Sequence, residues 1–203
     1  GAETDCLTIL DMYDRFFSDY LAMPGIKGVK TKDERFPGAD NTFCIEALMQ
    51  DGKALQAATT HDLGQNFAKS CGIKYQDKAG GEQFAHTTSW AFSSRIIGGI
   101  IMMHGDDDGM IMPPRIAPQQ IVIIPVLKGE GDDAVMDAAK ALEKRIKAAG
   151  YRVHLDARDE RTPTKMWDSI KKGVPLRVEL GAREVAAGQL SHVRRDIGKD
   201  SKK

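Results

Sequence analysis

The sequence contains few cysteines, no net charge and no long hydrophobic run. Its three cysteines are odd in number and widely spaced, which argues against a disulfide framework and against a CxxC metal site. The 29 lysines and arginines balance the 29 aspartates and glutamates, so any contact with RNA must be local. The longest apolar run, residues 96–103, is far shorter than the roughly 20 residues that cross a membrane. We therefore expect a reduced, soluble, cytoplasmic protein with no membrane contact.

The sequence also lacks the short motifs that identify many nucleotide-binding and hydrolytic enzymes. No nucleophile elbow, Walker loop or glycine-rich dinucleotide fingerprint occurs where a predicted strand meets a predicted helix. Three consecutive aspartates, residues 106–108, resemble a metal loop in composition, but carboxylates between glycines are commonly a solvated turn. We therefore assign no metal site.

The first half of the chain has the pattern of helices and antiparallel strands. Apolar residues at helical spacing predict an amphipathic helix over residues 5–21, and a polar loop follows it. Residues 41–50 and 53–61 predict two paired strands, because Asp51 and Gly52 between them suit the positive φ angles of a tight turn.

Further elements follow this hairpin. Asp62 and Gln65 fit a capping box, which predicts a short helix that Gly72 closes. Residues 73–77 and 83–90 predict additional strands that lead into the apolar segment.

The second half changes to an α/β pattern. A continuous apolar run over residues 121–126 precedes an amphipathic helix over 132–150 and a strand over 151–156, which together predict a βαβ unit. The pattern also predicts one short helix and two strands, over residues 166–173, 174–181 and 189–195. A shift in composition near residues 117–120 places a domain boundary there, so we expect an α/β protein with domains 1–118 and 119–203.

Arg95 begins a glycine-containing apolar helix, and two explanations stay open for its charge. A phosphate could share the arginine and the helix amino terminus, or a nearby aspartate could form an ion pair with it. Gly98 and Gly99 each cost about 1 kcal/mol in a helix relative to alanine. Something, either a strand or a ligand, should therefore approach that backbone closely.

Gln56, Thr59 and His61 lie at the end of a predicted strand, where side chains often meet a ligand. They could hydrogen-bond a nucleotide or an amino group. Polar residues on a solvated sheet edge would show the same pattern, and the residues alone do not decide between the two.

Several blocks of the sequence resemble one enzyme family. The stretch TSWAFSSRIIGGIIMMHGDDDGMIMPPRIAPQQIVIIPV is similar to the third signature motif of class II aminoacyl-tRNA synthetases, specifically prolyl-tRNA synthetases of the archaeal and eukaryotic type. The resemblance extends to KGVKTKDERFPGADNTFCIEA and LQAATTHDLGQNFAKSCGI before it, and to HLDARDERTPTKMW, KGVPLRVELGARE and HVRRDIG after it.

The resemblance implies both a fold and an activity. Residues 1–118 would be the carboxy-terminal part of a class II catalytic domain with an antiparallel sheet, and residues 119–203 a truncated anticodon-binding domain with a mixed sheet. The parent protein would use ATP and Mg²⁺ to convert proline to prolyl-adenylate, and would transfer the prolyl group to tRNA-Pro as a homodimer. The family's first two motifs do not occur in the sequence, so the resemblance implies a fragment that is inactive alone.

The resemblance also implies roles for individual residues. Arg95 would be the catalytic arginine and, with Gln56 and Thr59, would bind ATP. The proline pocket would be lined by Phe36, His61 and Trp90. Anticodon bases would be contacted by Arg158, Lys165 and Arg183, unless these three are solvated surface charges.

Two alternatives to this function stay open. The chain could belong to a non-catalytic, tRNA-binding relative of the synthetases, because a fold does not fix a function. It could also belong to a sister class II synthetase for threonine, glycine or histidine, since these enzymes share the domain order.

Overall fold

A computed structural model describes residues 1–129 and 131–198 of the chain. It divides into two compact units, Gly1–Met103 and His104–Lys203. The boundary that the sequence predicts, after residue 118, lies inside the second of these units. Within the described residues, no helix is both long enough and apolar enough to cross a membrane.

The first unit is an antiparallel sheet with a long helix against it. The helices are α1 (Ala2–Asp19), α2 (Asn66–Cys71) and α3 (Arg95–His104), and α3 ends at the boundary between the units. The strands are β1 (Gly25–Val29), β2 (Asn41–Leu48), β3 (Ala54–Asp62), β4 (Lys74–Gln76), β5 (Glu82–Phe84) and β6 (Thr88–Ala91). Four of them form an antiparallel sheet in the order β1-β2-β3-β6, while β4 and β5 form a separate hairpin.

Helix α1 covers one face of the larger sheet. Its buried side chains include Cys6 and Phe17. Lys27 of β1, which pairs with the buried Ile45 of β2, forms ion pairs with Asp11 and Asp14 of α1. Residues on the opposite side of the sheet from α1 make up what we call the distal face.

The structure confirms the main elements predicted for this unit. Helix α1, the hairpin of β2 and β3 and the start of α3 at Arg95 lie where the pattern places them. Gly52 in the hairpin turn has a φ of 79°, and Gly72 closes α2 in the left-handed conformation.

Two predictions for the first unit are wrong. Strand β1 lies where the sequence predicts a polar loop, because it is an edge strand whose side chains are mostly exposed and carry no apolar alternation. The capping box is also absent. Asp62 is the last residue of β3, its carboxylate accepts a hydrogen bond from Gly64 N at 2.9 Å, and α2 begins only at Asn66.

The second unit has a mixed sheet with helices on both sides. Its elements are β7 (Ile121–Pro125), α4 (Asp132–Ala148), β8 (Val153–Leu155), α5 (Thr162–Lys171), β9 (Leu176–Leu180), α6 (Ala182–Ala187) and β10 (Ser191–Arg194). The strand order is β10-β9-β7-β8, in which β8, β7 and β9 are parallel and β10 is antiparallel. This arrangement confirms the predicted βαβ unit and the predicted fold class.

The alternating residues of β7 bury its two faces in two apolar clusters. Ile123 packs with Val135 and Ala139 of α4, whereas Val122 and Ile124 pack near Met166 of α5. A strand buried on both faces needs an uninterrupted apolar sequence, which explains the run over residues 121–126.

Helix α6 lies where the sequence pattern predicts no helix. It is short, and its exposed residues show little apolar periodicity. Its boundaries nevertheless carry a signal, because the Glu184 carboxylate accepts a hydrogen bond from Gly181 N at 3.2 Å and Gly188 ends the helix with a φ of 63°.

The three consecutive aspartates lie in a loop of the second unit. The Asp106 carboxylate accepts hydrogen bonds from Asp108 N and Gly109 N at 3.0 and 3.1 Å, and it forms an ion pair with Arg195. Gly109 lies so near the backbone of Lys171 that an added Cβ would be 2.7 Å from its Cα. The aspartate loop is therefore a turn fixed by an arginine.

Candidate functional site

A β-bulge sets which side chains reach the distal face. Ile45 pairs with Ala58 and Glu46 pairs with Gln56, so Ala57 is an extra residue in β3. Without this extra residue, Gln56 and Thr59 would point to opposite faces, because side chains alternate along a strand and the two residues are three positions apart. With it, both residues lie on the distal face.

Polar side chains cross this face in a row. Lys30 N donates to Thr42 O at 2.9 Å, which extends the register of β1 and β2 by one residue. Thr42 pairs with His61, and His61 pairs with Ser89. Because directly paired residues share a face, Lys30, Thr42, His61 and Ser89 form one transverse row. We call it the polar row.

His61 is held by two hydroxyl groups. Its Nδ1 is 3.0 Å from Thr42 Oγ1 and its Nε2 is 3.1 Å from Thr59 Oγ1. The Phe36 ring lies on it, with 5.1 Å between ring centroids. Burial lowers the pKa of His61 below 6.5, and the positive charge of Lys30 lowers it further. His61 is therefore neutral at pH 7 and links Thr59 to Phe36.

Arg95 stands at the start of α3 with its guanidinium exposed. Its Nη1 donates to Gln56 O at 3.4 Å, and no ion pair to it occurs within the described residues. The ion-pair explanation is therefore not what the structure shows, since Asp106 is paired with Arg195 instead. Arg95 is free to meet an anion beside Gln56.

The structure separates Trp90 from the other residues assigned to the proline pocket. Trp90 pairs with the buried Thr60, which stands on the face that α1 covers, whereas His61 faces the other way. The Trp90 indole N–H donates to Thr88 Oγ1 at 3.0 Å. Phe36 and His61 are brought together, and Trp90 is not part of their group.

Of the two glycines in α3, only Gly99 lies close to side chains of neighbouring elements. An added Cβ at Gly99 would be 2.8 Å from Leu55 Cδ2 and 3.4 Å from Met23 Sδ, so neighbouring side chains do approach this backbone. Among the described residues, no atom outside the neighbouring helix backbone lies within 4 Å of a Cβ added at Gly98, so no strand approaches the helix there.

In the second unit, Arg158 is fixed by two carboxylates. Its Nε and Nη2 donate to the buried Asp156 at 2.8 and 2.7 Å, and its Nη1 donates to Asp168 at 2.9 Å. Asp156 and Asp168 raise the pKa of Arg158, while Arg158 lowers the pKa of Asp156. The Arg158 side chain remains 47% exposed, so the guanidinium face and its remaining N–H groups can meet a ligand.

Lys165 and Arg183 lie in very different surroundings. Lys165 is 3% exposed, and its Nζ donates to Asp156 O at 3.2 Å. It is therefore not a solvated surface charge, and that alternative is wrong for Lys165. The Arg183 side chain is 92% exposed, and its ion pair with Glu184, at 3.3 Å, is a surface pair that contributes little to stability.

Arg158 and Lys165 share a cavity at the carboxyl ends of the parallel strands. This cavity of about 520 Å³ is also lined by Pro125 and Arg161, and Arg183 lines a neighbouring cavity. Loops at the carboxyl ends of parallel strands commonly bind ligands. Arg158, Lys165 and Arg183 thus all lie near the carboxyl ends of the parallel strands, and Arg158 and Lys165 line the same cavity.

Metal ligands are not grouped in the part of the chain that the structure describes. No cluster of three His, Cys, Asp or Glu side chains there could hold a metal ion.

Burial raises the pKa of Cys6 to about 11 and also raises that of Cys44. These two thiols are therefore protonated at neutral pH.

Comparisons with known proteins show which proteins the chain resembles. Residues 120–202 match the family model described as "Anticodon binding domain". A "Proline--tRNA ligase" of Bdellovibrio bacteriovorus is 53% identical over 99% of this chain and 42% of its own length. The chain is a homologue of proline-tRNA ligases.

Other proline-tRNA ligases match to a similar extent. The enzyme of Sphingopyxis alaskensis is 53% identical over 96% of this chain and 38% of its own length. "Proline--tRNA ligase 2" of Anaeromyxobacter dehalogenans is 52% identical over 95% of this chain and 39% of its own length. The chain thus spans about two fifths of the length of these curated relatives.

Sequence reasoning missed three residues that the structure places in the candidate sites of this proline-tRNA ligase homologue. Lys30 and Thr42 belong to the polar row, and Asp156 fixes Arg158. The signal for Lys30 is weak, because the edge strand before it is short, mostly exposed and without apolar alternation. A signal for Asp156 did exist, since an aspartate two residues before an arginine at a strand end suits a fork-shaped ion pair.

Proposed function

We propose that the chain acts within a proline-tRNA ligase, which activates proline with ATP and transfers it to tRNA-Pro. The observation that carries this proposal is the grouping of Gln56, Thr59 and His61 on the distal face, which depends on the bulge at Ala57. It gives one surface that can hold a nucleotide and a small apolar amino acid side by side. The similarity to proline-tRNA ligases over nearly the whole chain supports the substrate assignment.

The proposed chemistry is phosphoryl activation of a carboxylate. A proline carboxylate oxygen bonds to the α-phosphorus of ATP, the bond from that phosphorus to the oxygen bridging to the β-phosphate breaks, and pyrophosphate leaves. Negative charge spreads over the phosphoryl oxygens during this step, and preorganised cations and donors stabilise it. Arg95 is an exposed cation beside Gln56 and at a helix amino terminus, which supports this role for it.

His61 is suited to position the amino acid because its own ring is uncharged at neutral pH. Neutral at pH 7, it does not repel the positively charged imino group of proline. Its ring and the Phe36 ring form an apolar wall of the kind that a pyrrolidine ring fits. Thr59 then connects this wall to the nucleotide side of the face.

Mg²⁺ is expected to enter bound to ATP. Since the described residues form no ligand cluster for a metal, we assign no protein ligand to the ion and attribute no step to it.

The second unit is proposed to recognise the anticodon. Residues 120–202 match the anticodon-binding family, and Arg158 with Lys165 lines a cavity at the edge of its sheet. Single-stranded bases splayed out from a loop are read by planar and cationic donors of this type. Dimer formation by the full protein stays a proposal drawn from the family resemblance.

The experiment that tests this function is amino-acid-dependent exchange of pyrophosphate into ATP by the full gene product that carries the chain. Proline, threonine, glycine and histidine are compared in separate reactions, and the 203-residue chain is assayed in parallel. Exchange with proline is expected for the full gene product, and none for the chain alone. Exchange with another amino acid would identify a sister synthetase, and tRNA binding without any exchange would identify a non-catalytic relative.

A further inference from the structure

Lys30 stands at one end of the polar row and has no assigned role. It lies one residue beyond β1, and its backbone pairing with Thr42 directs its side chain to the distal face. Lys27, three residues earlier on the same strand, points to the other face and is paired with Asp11 and Asp14 of α1. The two lysines therefore differ in surroundings although they are close in sequence.

The surroundings of Lys30 are unusual for a lysine. It is partly buried, and among the described residues it forms no ion pair and no side-chain hydrogen bond. Fully buried lysines are almost always paired, whereas a partly buried lysine covers its apolar stem and keeps its ammonium accessible. The ammonium of Lys30 is therefore available to an anion bound on the distal face.

The charge of Lys30 acts directly on the polar row. It lowers the pKa of His61, and it lowers that of Cys44, which stands beside Thr42 on the same face. The acidic groups nearest to Cys44 are Glu34 and Glu46, which act on the thiol with the opposite sign. Neither of them forms an ion pair with Lys30 within the described residues.

We infer that Lys30 is a binding residue for an oxyanion of the substrates that occupy the distal face. This inference rests on the proposed ligase function and adds to it a second cation, at the Lys30 end of the polar row. The oxyanion is either the carboxylate of the amino acid or a phosphate of ATP. Both offer acceptor oxygens to an ammonium, which hydrogen-bonds with three donors and no fixed plane.

The test uses the full gene product and its Lys30→Gln, Lys30→Met and Lys30→Arg variants in proline-dependent pyrophosphate exchange. Loss of a charge-assisted hydrogen bond is expected to raise one KM by about ten-fold. A raised KM for proline identifies the carboxylate as the ligand, and a raised KM for ATP identifies a phosphate. Lys30→Arg keeps the charge and should restore most of the affinity.

The matched control is Lys27→Gln, which removes a lysine from the same strand but from the α1 face. It should lower the melting temperature and leave both KM values unchanged. If folded Lys30→Gln and Lys30→Met proteins keep both KM values within two-fold of wild type, the inference about Lys30 is overturned while the ligase function stands. If the wild-type protein shows no exchange with proline, the proposed function is overturned, and the inference with it.

Discussion

The carboxylate of Asp106 and the guanidinium of Arg195 meet in a two-pronged ion pair, with distances of 2.7 Å between Oδ2 and Nη1 and 2.5 Å between Oδ1 and Nη2. Arg195 also donates to Ile170 O at 3.1 Å and is almost fully buried. The aspartate loop is therefore fixed to the end of α5 and to the segment after β10. The ion pair lowers the pKa of Asp106 from 3.8 to about 2.

This pKa gives a prediction for stability. Because the pKa of Asp106 is lower in the folded state, its contribution is present above pH 4 and is lost as the pH falls from about 4 to 2. We expect Asp106→Asn to lower the unfolding free energy of the second unit at pH 7, because the ion pair with Arg195 is lost. The decrease should be only about 1 kcal/mol, since the Asp106 carboxylate is partly exposed to water. Urea denaturation measures the unfolding free energy, with Asp107→Asn as the control. Equal losses in both variants at pH 7 would contradict the prediction.

The pKa of His61 gives a second prediction, in which stability again falls with falling pH but in a higher pH range. Burial lowers this pKa below 6.5, so the unfolded chain binds the proton first as the pH falls. His61 therefore costs stability below about pH 6.5 and none above it. Titration of its ring protons by NMR should give a midpoint below 6.5, and His61→Asn should flatten the pH dependence of unfolding in that window. A midpoint at or above 6.5 would mean that the ring is not buried as described.

The bulge in β3 predicts the outcome of a single-residue deletion. Removal of Ala57 would restore regular pairing and move Gln56 to the α1 face. Exchange activity of the full gene product should fall by about 100-fold, because misplacement of a binding group by about 1 Å can cost that much. Ala57→Gly keeps the extra residue and should keep the activity. A deletion variant that folds and retains wild-type exchange would show that Gln56 is not used on the distal face.

The cavity at the edge of the second sheet predicts how RNA binding responds to charge. Arg158→Ala should weaken binding of an RNA hairpin with the anticodon loop of tRNA-Pro by about 1–3 kcal/mol. Asp156→Asn should weaken RNA binding less than Arg158→Ala does, because the Arg158 guanidinium is still present and loses only the carboxylate that orients it. Fluorescence anisotropy measures both. Arg194→Ala is the control, since that arginine stands on β10 and pairs with Asp196. An Arg194→Ala variant that loses as much affinity as Arg158→Ala would indicate a diffuse charge effect instead.

The elements with strong periodicity could be predicted from the sequence. Helices α1 and α4 and strand β7 bury whole faces, and burial leaves a clear apolar pattern. Strand β1 and helix α6 are exposed and short, so their pairing and packing decide their structure. No local pattern reports those contacts.

The candidate site could be predicted only in part. Gln56, Thr59 and His61 stood out as polar residues at a strand end, but their common face depends on the extra residue Ala57, which opposes a residue far along the chain. The separation of Trp90 from His61 likewise depends on strand register. The partner of Asp106 is 89 residues away in sequence, and spacing cannot show such a pair.

The central claim is that the distal face of the first unit holds the substrates of a proline-tRNA ligase. The measurement that tests it most directly is ATP-dependent attachment of radiolabelled proline to tRNA by the full gene product, with Arg95→Ala beside the wild type. We predict that the wild type charges tRNA-Pro with proline and that Arg95→Ala, although folded, does not. A wild-type protein that leaves tRNA-Pro uncharged, or an Arg95→Ala variant that charges it at the wild-type rate, would contradict the account.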